Sequence, residues 1–324
     1  MTTQQPLRIL MSDQTLERIG DAVTAALGRR AFEPVIAART HGNEPSDVDL
    51  AFISRDVTGL STKHRVLEPL ESFYVSLRKS PRLAWVHAHS AGADRPIFGE
   101  LKDRGVRVTT SSGANGQVVA QTALAGILAL ARELPRMFEA QRARAWTPLI
   151  GGLLPRDLAG QTAVIVGWGP IGQQLAGYLR MLGLNVIAVR SAAAPASDGV
   201  ETYAFEDLPT IAGRADWLVL ACPLSDRTRG LVDARVLARM APHARLVNVA
   251  RGEVVVERDL IGALRAQALA GAYLDVFEHE PLAGESPLWS LPNVIVTPHS
   301  AGHSDGNEAR VDRIFLDYLR EWRQ

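Results

Sequence analysis

The sequence predicts an α/β protein made of two doubly wound parallel sheets. Three observations carry that reading. Short apolar runs rich in β-branched residues alternate with amphipathic stretches of helical length along the whole chain, the pattern of parallel sheets flanked by helices. One of these runs, Ala163-Val164-Ile165-Val166, leads directly into Gly167-Trp168-Gly169-Pro170-Ile171-Gly172. Apolar residues at helical spacing follow it, at Leu175, Ala176, Tyr178, Leu179 and Leu182. The length, 324 residues, suggests about two domains.

The first domain opens with a strand at Leu7–Met11 and an amphipathic helix over Thr15–Leu27 that Gly28 ends. Further strands are predicted at Pro34–Ala38, Val48–Ile53, Leu83–His87 and Val106–Thr109, with helices at Val66–Leu77 and Asp94–Lys102. No glycine fingerprint lies in this part. The small-residue segment His89-Ser90-Ala91-Gly92-Ala93-Asp94 follows the Leu83–His87 strand. Its consecutive N–H groups could hold a carboxylate, and it could equally be a plain β–α turn. Gly113–Gly116 reads as a hinge into a long apolar helix that starts near Gln117. The stretch Arg136–Leu154 mixes Arg142, Arg144, Trp146 and Pro148 irregularly and does not read as core. An arm that packs on a second subunit explains it.

The second domain begins at Leu158. Strands are expected at Ala163–Val166, Asn185–Val189, Trp217–Ala221, Arg245–Asn248, Gly271–Asp275 and Val294–Thr297. Helical stretches such as Leu231–Met240 and Glu257–Ala268 separate them, giving a sheet of Rossmann type. The last stretch, Asn307–Trp322, has the apolar face of a terminal helix and is expected to return to the first domain, which lacks a closing element. The domains are therefore expected at 1–112 with 300–324, and at 113–299 with an arm at about 116–154.

Each glycine of the central turn has a physical task. Gly167 permits the sharp strand-to-helix bend, Gly169 lets backbone approach a pyrophosphate, and Gly172 lets the helix pack closely on the strand. The N–H groups and positive dipole end of the helix then face the phosphates. A G-x-G-x-x-G alone is weak, but here a strand precedes it, a helix follows, and a second strand comes next. The end of that second strand discriminates between dinucleotides. An NAD site usually has Asp or Glu there to accept from the ribose 2′-hydroxyl. This chain has Arg190, 23 residues beyond Gly167, then Ser191, and no acid until Asp198. A guanidinium suits a 2′-phosphate, so NADP is favoured over NAD.

Hydrophobic residues at 47% and charged ones at 22% are ordinary for a globular protein, and 35 basic residues balance 35 acidic ones. No polyanion partner, and so no nucleic acid, is implied. The one cysteine, Cys222, excludes an intrachain disulfide and a multi-cysteine metal site, and its apolar strand end suggests a buried thiol. No metal site is expected. The start, Met-Thr-Thr-Gln-Gln-Pro, lacks the charged and apolar regions of a signal peptide, and Val118–Leu130 is too short to span a bilayer. A cytoplasmic protein with no membrane partner is expected.

Three sites follow strands of the second domain: Val247-Asn248-Val249-Ala250-Arg251-Gly252, Leu274-Asp275-Val276-Phe277-Glu278-His279-Glu280-Pro281 and Val296-Thr297-Pro298-His299-Ser300-Ala301-Gly302. Ligands in open α/β sheets bind beyond the carboxyl ends of strands, so all three should open into one crevice. Their chemistry fits one reaction. Reduction of a ketone by a nicotinamide needs a hydride and a proton on the carbonyl oxygen. Histidine can give that proton near neutrality. A carboxylate on its other ring nitrogen fixes the tautomer, and an arginine can bind a 2-oxo acid and polarise its carbonyl. Singly, a strand-end arginine is usually structural and Glu280 could be a solvated loop acid; His279 and His303 compete with His299.

These landmarks, with Cys222-Pro223-Leu224 and Thr228, resemble the D-isomer-specific 2-hydroxyacid dehydrogenase family over nearly the whole chain. The resemblance implies a flavodoxin-like substrate domain with an inserted Rossmann domain, usually as a homodimer. It implies that Arg251 binds and polarises the substrate, His299 is the acid/base, and Glu280 is its partner. The dinucleotide would meet Gly167, Gly169, Pro170, Ile171, Gly172, Arg190, Ser191, Pro223, Thr228, Val249 and Ala250, with Asp275 near the nicotinamide carboxamide. Ser90-Ala91-Gly92 matches the loop that holds the substrate carboxylate. Two positions depart from the family, Ala221 where histidine is frequent and Gln121 where glutamate is frequent, and neither touches the trio. Arg190 resembles the NADP-dependent glyoxylate/hydroxypyruvate reductases of the family and points to small 2-oxo acids. Two rivals stand beside this reading: a dinucleotide-sensing, corepressor-like protein of the same fold, and a dehydrogenase for an alcohol without a carboxylate, which would leave Arg251 and Ser90–Gly92 idle.

Overall fold

The computed structural model describes residues 5–36, 47–150, 154–192 and 199–322. The chain divides into two compact units, Met1–Asn115 with Ser304–Gln324, and Gly116–His303. Each is built on one sheet whose paired strands all run parallel. The fold is the predicted α/β one.

In the first unit the strands are β1 (Leu7–Met11), β2 (Phe32–Ile36), β3 (Leu50–Ile53), β4 (Trp85–Ala88) and β5 (Arg107–Thr110), in the order β2-β1-β3-β4-β5. Strands β3 and β4 are buried along their whole length, as strands covered by helices on both faces must be. The helix Asp13–Leu27 starts at Ser12, whose hydroxyl accepts from the Thr15 N–H at 3.1 Å. The expected helix over Val66–Leu77 spans Leu70–Lys79 instead, because Pro69 at its N-cap cannot continue a helix backwards. The helix Pro96–Asp103 has its proline in the first turn, where the missing N–H costs nothing. The strand expected to reach Ala38 ends at Ile36, and Ala38 lies outside the described residues.

The terminal helix Asn307–Trp322 belongs to this unit and packs on the Asp13–Leu27 helix. Phe315 stacks on Phe52 at 4.4 Å between ring centroids, and Trp85 stacks on Phe315 and Trp322. Arg18 grips the buried Asp312 with two bonds of 2.6 and 3.0 Å. Under this aromatic layer His87 is fully buried between Thr109 Oγ1 (2.7 Å) and Ser111 Oγ (2.9 Å). Burial holds its pKa down to about 3, so it is a neutral structural histidine.

The second unit begins with the helix Gly116–Ala131 and then the helix Leu134–Arg142, which has no buried residue. The strands that follow are β6 (Thr162–Val166), β7 (Asn185–Arg190), β8 (Glu201–Ala204), β9 (Trp217–Leu220), β10 (Arg245–Asn248), β11 (Gly271–Leu274) and β12 (Val294–Val296). Their order is β12-β11-β10-β9-β6-β7-β8. The chain runs from β6 to one edge, then returns to β9 on the other side of β6. The gap between β6 and β9 is therefore the switch point where such sheets bind ligands. The helix expected over Leu231–Met240 forms only at Ala234–Leu237, where the Asp233 carboxylate caps two N–H groups. The long helix after the β10 loop spans Glu257–Arg265. Among the described residues no single helix is long and apolar enough to cross a membrane, and no group of three metal-ligating side chains occurs.

Candidate active site

The glycine turn sits at the switch point, after β6. Gly167 has φ of 105°, and a Cβ there would lie 2.6 Å from the Ala221 carbonyl and the Cys222 nitrogen at the end of β9. Only glycine meets both demands. A Cβ on Gly172 would lie 2.1 Å from the Gly167 oxygen, so the helix Pro170–Met181 can lie against the turn only with glycine there. Gly169 differs: its Cβ would meet nothing within 4 Å. It is the N-cap of that helix and no side chain caps the first turn. The N–H groups around Ile171 and Gly172 therefore face an open cradle of the kind a pyrophosphate fills. The residues present fit a dinucleotide.

Arg190 is the last residue of β7 and is half-buried, with the exposed Ser191 next to it. Asp198 lies outside the described residues, so Arg190 is the charged group at the end of this strand among those described. Pro223 is exposed in the loop after β9, and the buried Thr228 closes that loop. Its hydroxyl donates to the Pro223 carbonyl at 2.8 Å and accepts from the Ser225 N–H at 2.8 Å. Thr228 thus shapes the loop through bonds it already makes. Val249 and Ala250 are buried beyond β10, where Asn248 Oδ1 accepts from the Ala250 N–H and Asn248 Nδ2 donates to the Arg251 carbonyl. Cys222 is buried, and desolvation pushes its thiol up to about 12, which makes it inert.

The three strand-end segments follow β10, β11 and β12, which are neighbours in the sheet. His299 Nδ1 and Glu280 Oε2 are 2.8 Å apart. The other Glu280 oxygen accepts from the Phe277 N–H at 3.1 Å. Glu280 is largely shielded, its side chain 14% exposed, whereas His299 is 47% exposed. The ring is therefore held from one side and open on the other, as a proton donor must be. Arg251 projects from the β10 loop, and its guanidinium donates to the Ala250 carbonyl at 2.8 Å. Of the competing histidines, His279 and His303 are both exposed.

His299 has φ of 50°, a left-handed conformation that a non-glycine residue adopts at a cost. Asp275 holds it there. The buried Asp275 carboxylate accepts from Thr297 Oγ1 (2.6 Å), the Ser300 N–H (2.8 Å) and the Ala301 N–H (3.0 Å). Its carbonyl accepts from the His299 N–H at 2.8 Å. Behind the loop Tyr273 bonds Thr297 at 2.8 Å, and Thr122 of the Gly116–Ala131 helix donates to the Ala301 carbonyl at 3.0 Å. Most donors here are backbone N–H groups, so this scaffold has no motif of its own. The sequence marked Asp275 as a strand-end acid and, by resemblance, as a neighbour of the nicotinamide carboxamide, not as the residue that holds this loop. In the first unit, Ser90–Gly92 follows β4, and Ser90 Oγ donates to the Gly92 carbonyl at 2.8 Å.

Known proteins resemble this chain over most of its length. The family model described as "D-isomer specific 2-hydroxyacid dehydrogenase, NAD binding domain" matches residues 124–301. The (S)-sulfolactate dehydrogenase of Chromohalobacter salexigens is 34% identical over 250 residues, 75% of this chain and 79% of that one. Glyoxylate/hydroxypyruvate reductase B of Klebsiella pneumoniae is 36% identical over 231 residues, 70% of this chain and 72% of that one. Among solved structures, the NADPH-dependent glyoxylate/hydroxypyruvate reductase of Sinorhizobium meliloti, in complex with NADP and malonate, superposes with a TM-score of 0.76. It is 28% identical, with 98% of this chain and 94% of that one covered.

Proposed function

The chain belongs to the D-isomer specific 2-hydroxyacid dehydrogenase family and is an NAD(P)-dependent enzyme; on that premise we propose that it reduces small 2-oxo acids such as glyoxylate or hydroxypyruvate with NADPH. The observation that carries this reading is the 2.8 Å contact between His299 and Glu280, in the unit whose glycine turn fits a dinucleotide.

When bound, the nicotinamide supplies the hydride. The chain supplies the proton and the fields. With Nδ1 held by Glu280, the His299 ring leaves its Nε2 side exposed to give a proton to the carbonyl oxygen. Arg251 binds the substrate and stabilises the negative charge that grows on that oxygen. Gly167, Gly169, Pro170, Ile171 and Gly172 hold the pyrophosphate, with Pro223, Thr228, Val249 and Ala250 along the strand ends, and Arg190 with Ser191 at the adenosine ribose. In the first unit, which we assign to the substrate, Ser90-Ala91-Gly92 is a carboxylate-binding loop. We assign the chain to homodimers through the stretch 116–154, of which 151–153 lie outside the described residues.

The test follows nicotinamide absorbance with NADPH or NADH and with glyoxylate, hydroxypyruvate, pyruvate and phenylpyruvate as acceptors. Faster loss of NADPH with a small acceptor supports the reading. NADPH binding without turnover of any acceptor would favour the sensor. The Arg190→Asp protein should move its cofactor preference toward NADH by at least about tenfold, the scale of one lost ion pair. An unchanged preference would take Arg190 out of the ribose site.

A further inference from the structure

A pair of acids outside the trio is joined in an unusual way. The Glu257 N–H donates to Glu278 Oε1 at 3.0 Å, and the Glu278 N–H donates to Glu257 Oε2 at 3.1 Å. Glu257 is the first residue of the Glu257–Arg265 helix, and Glu278 lies in the loop after β11. Two carboxylates brought this close repel, and burial with that repulsion pushes the Glu257 carboxyl above its ordinary range. The arrangement therefore costs stability, and its geometry indicates what it does.

Three contacts meet on Phe277 and the peptide that follows it. Glu257 holds its Glu278 N–H. Gly252, the neighbour of Arg251, lies against it so closely that a Cβ would sit 1.8 Å from the Phe277 carbonyl carbon and 2.3 Å from the Glu278 nitrogen. The Phe277 N–H holds the Glu280 carboxylate at 3.1 Å, whose other oxygen meets His299 at 2.8 Å. Phe277, with one peptide on each side, thus lies between the loop of Arg251 and the acid that meets His299.

We propose that Glu257 is a positioning residue, which clamps the Phe277–Glu280 loop so that Glu280 meets His299 at bonding distance. The proposal rests on the reading of Glu280 and His299 as the proton-transfer pair. The competing role is local: an acid in the first turn of a helix favours that helix through its dipole, with no bearing on the loop.

Two substitutions separate these roles. Glu257→Asp keeps the charge at the helix start but is one methylene too short to reach the Glu278 N–H. Glu257→Gln loses the charge but keeps an oxygen at the right reach. Turnover with the best acceptor should fall about tenfold to a hundredfold in Glu257→Asp, the range for a misplaced reacting group, and stay within about threefold in Glu257→Gln. NADPH affinity, read by tryptophan fluorescence, should be the same in both. Wild-type turnover in Glu257→Asp, or an equal or larger loss in Glu257→Gln, overturns the clamp. A wild-type protein that binds NADPH but turns over no acceptor overturns instead the reading on which the clamp rests.

Discussion

At the scale of single residues, the site depends on how one histidine is held. His299 stands at φ of 50°, and such a conformation persists only where the surroundings determine it. Asp275 does so with three bonds from its carboxylate and one to its carbonyl. Glu280 then fixes the ring itself. Replacing His299 by alanine removes the proposed proton donor and leaves the loop's backbone bonds in place. Turnover should therefore fall at least about a hundredfold, the usual worth of general acid catalysis, while NADPH affinity stays within about twofold. Steady-state rates with a fluorescence titration check both parts, and an unaltered rate would remove His299 from its role. The pairing of His299 with Glu280 was legible through the family resemblance, since chemistry and strand ends alone left His279 and His303 in competition. The scaffold around it was not. Asp275 and Glu257 act largely on backbone N–H groups, which every residue carries and no sequence pattern marks.

At the scale of elements, the chain reads well where strands are buried on both faces. Strands β6 and β9 are continuous apolar runs, and the structure places them within a residue of the expected ends. Strand β8, Glu-Thr-Tyr-Ala, was not expected: it is an edge strand, paired on one side, with polar and half-exposed residues. The helix at Leu134–Arg142 also escaped, since none of its residues is buried and its apolar Leu134, Met137 and Phe138 span little more than one turn. The glycine turn was legible because Gly167 and Gly172 meet steric demands that only glycine satisfies, whereas Gly169 borders open space. That difference can be tested on two variants. Gly169→Ala places a methyl in open space, so Tm should hold while NADPH affinity falls by about tenfold or more, because the methyl occupies the path of the phosphates. Gly172→Ala drives a methyl to 2.1 Å from the Gly167 oxygen, so the helix must lift and stability should drop by about 1–3 kcal/mol. Calorimetry and ligand titration separate the two. Equal loss of Tm in both variants would mean that Gly169 also serves packing.

At the scale of the whole molecule, the second unit exposes several large apolar side chains in one stretch. Trp146 is 95% exposed, Ile150 84% and Leu154 68%, and Phe138 on the neighbouring helix is also exposed. Single exposed apolar residues are commonplace, but four large ones within 17 residues form a patch that a lone chain has no reason to keep. Covering one such side chain contributes about 1.5–3 kcal/mol. In a two-fold dimer each contact is made twice, so even part of this patch gives strong association. Arg142 and Arg144 lie between Phe138 and Trp146, and Arg136 just before them, charges that would form the polar rim of an interface here. Light scattering should give a mass of two 35.1 kDa chains at micromolar concentration. Trp146→Asp sets a charge on each side of the two-fold and should shift that mass toward one chain. The far-UV spectrum should not change, because the residue makes no part of either core. A wild-type mass of one chain would place the apolar arm in some other role, and an unshifted dimer in the variant would move the interface elsewhere on the molecule.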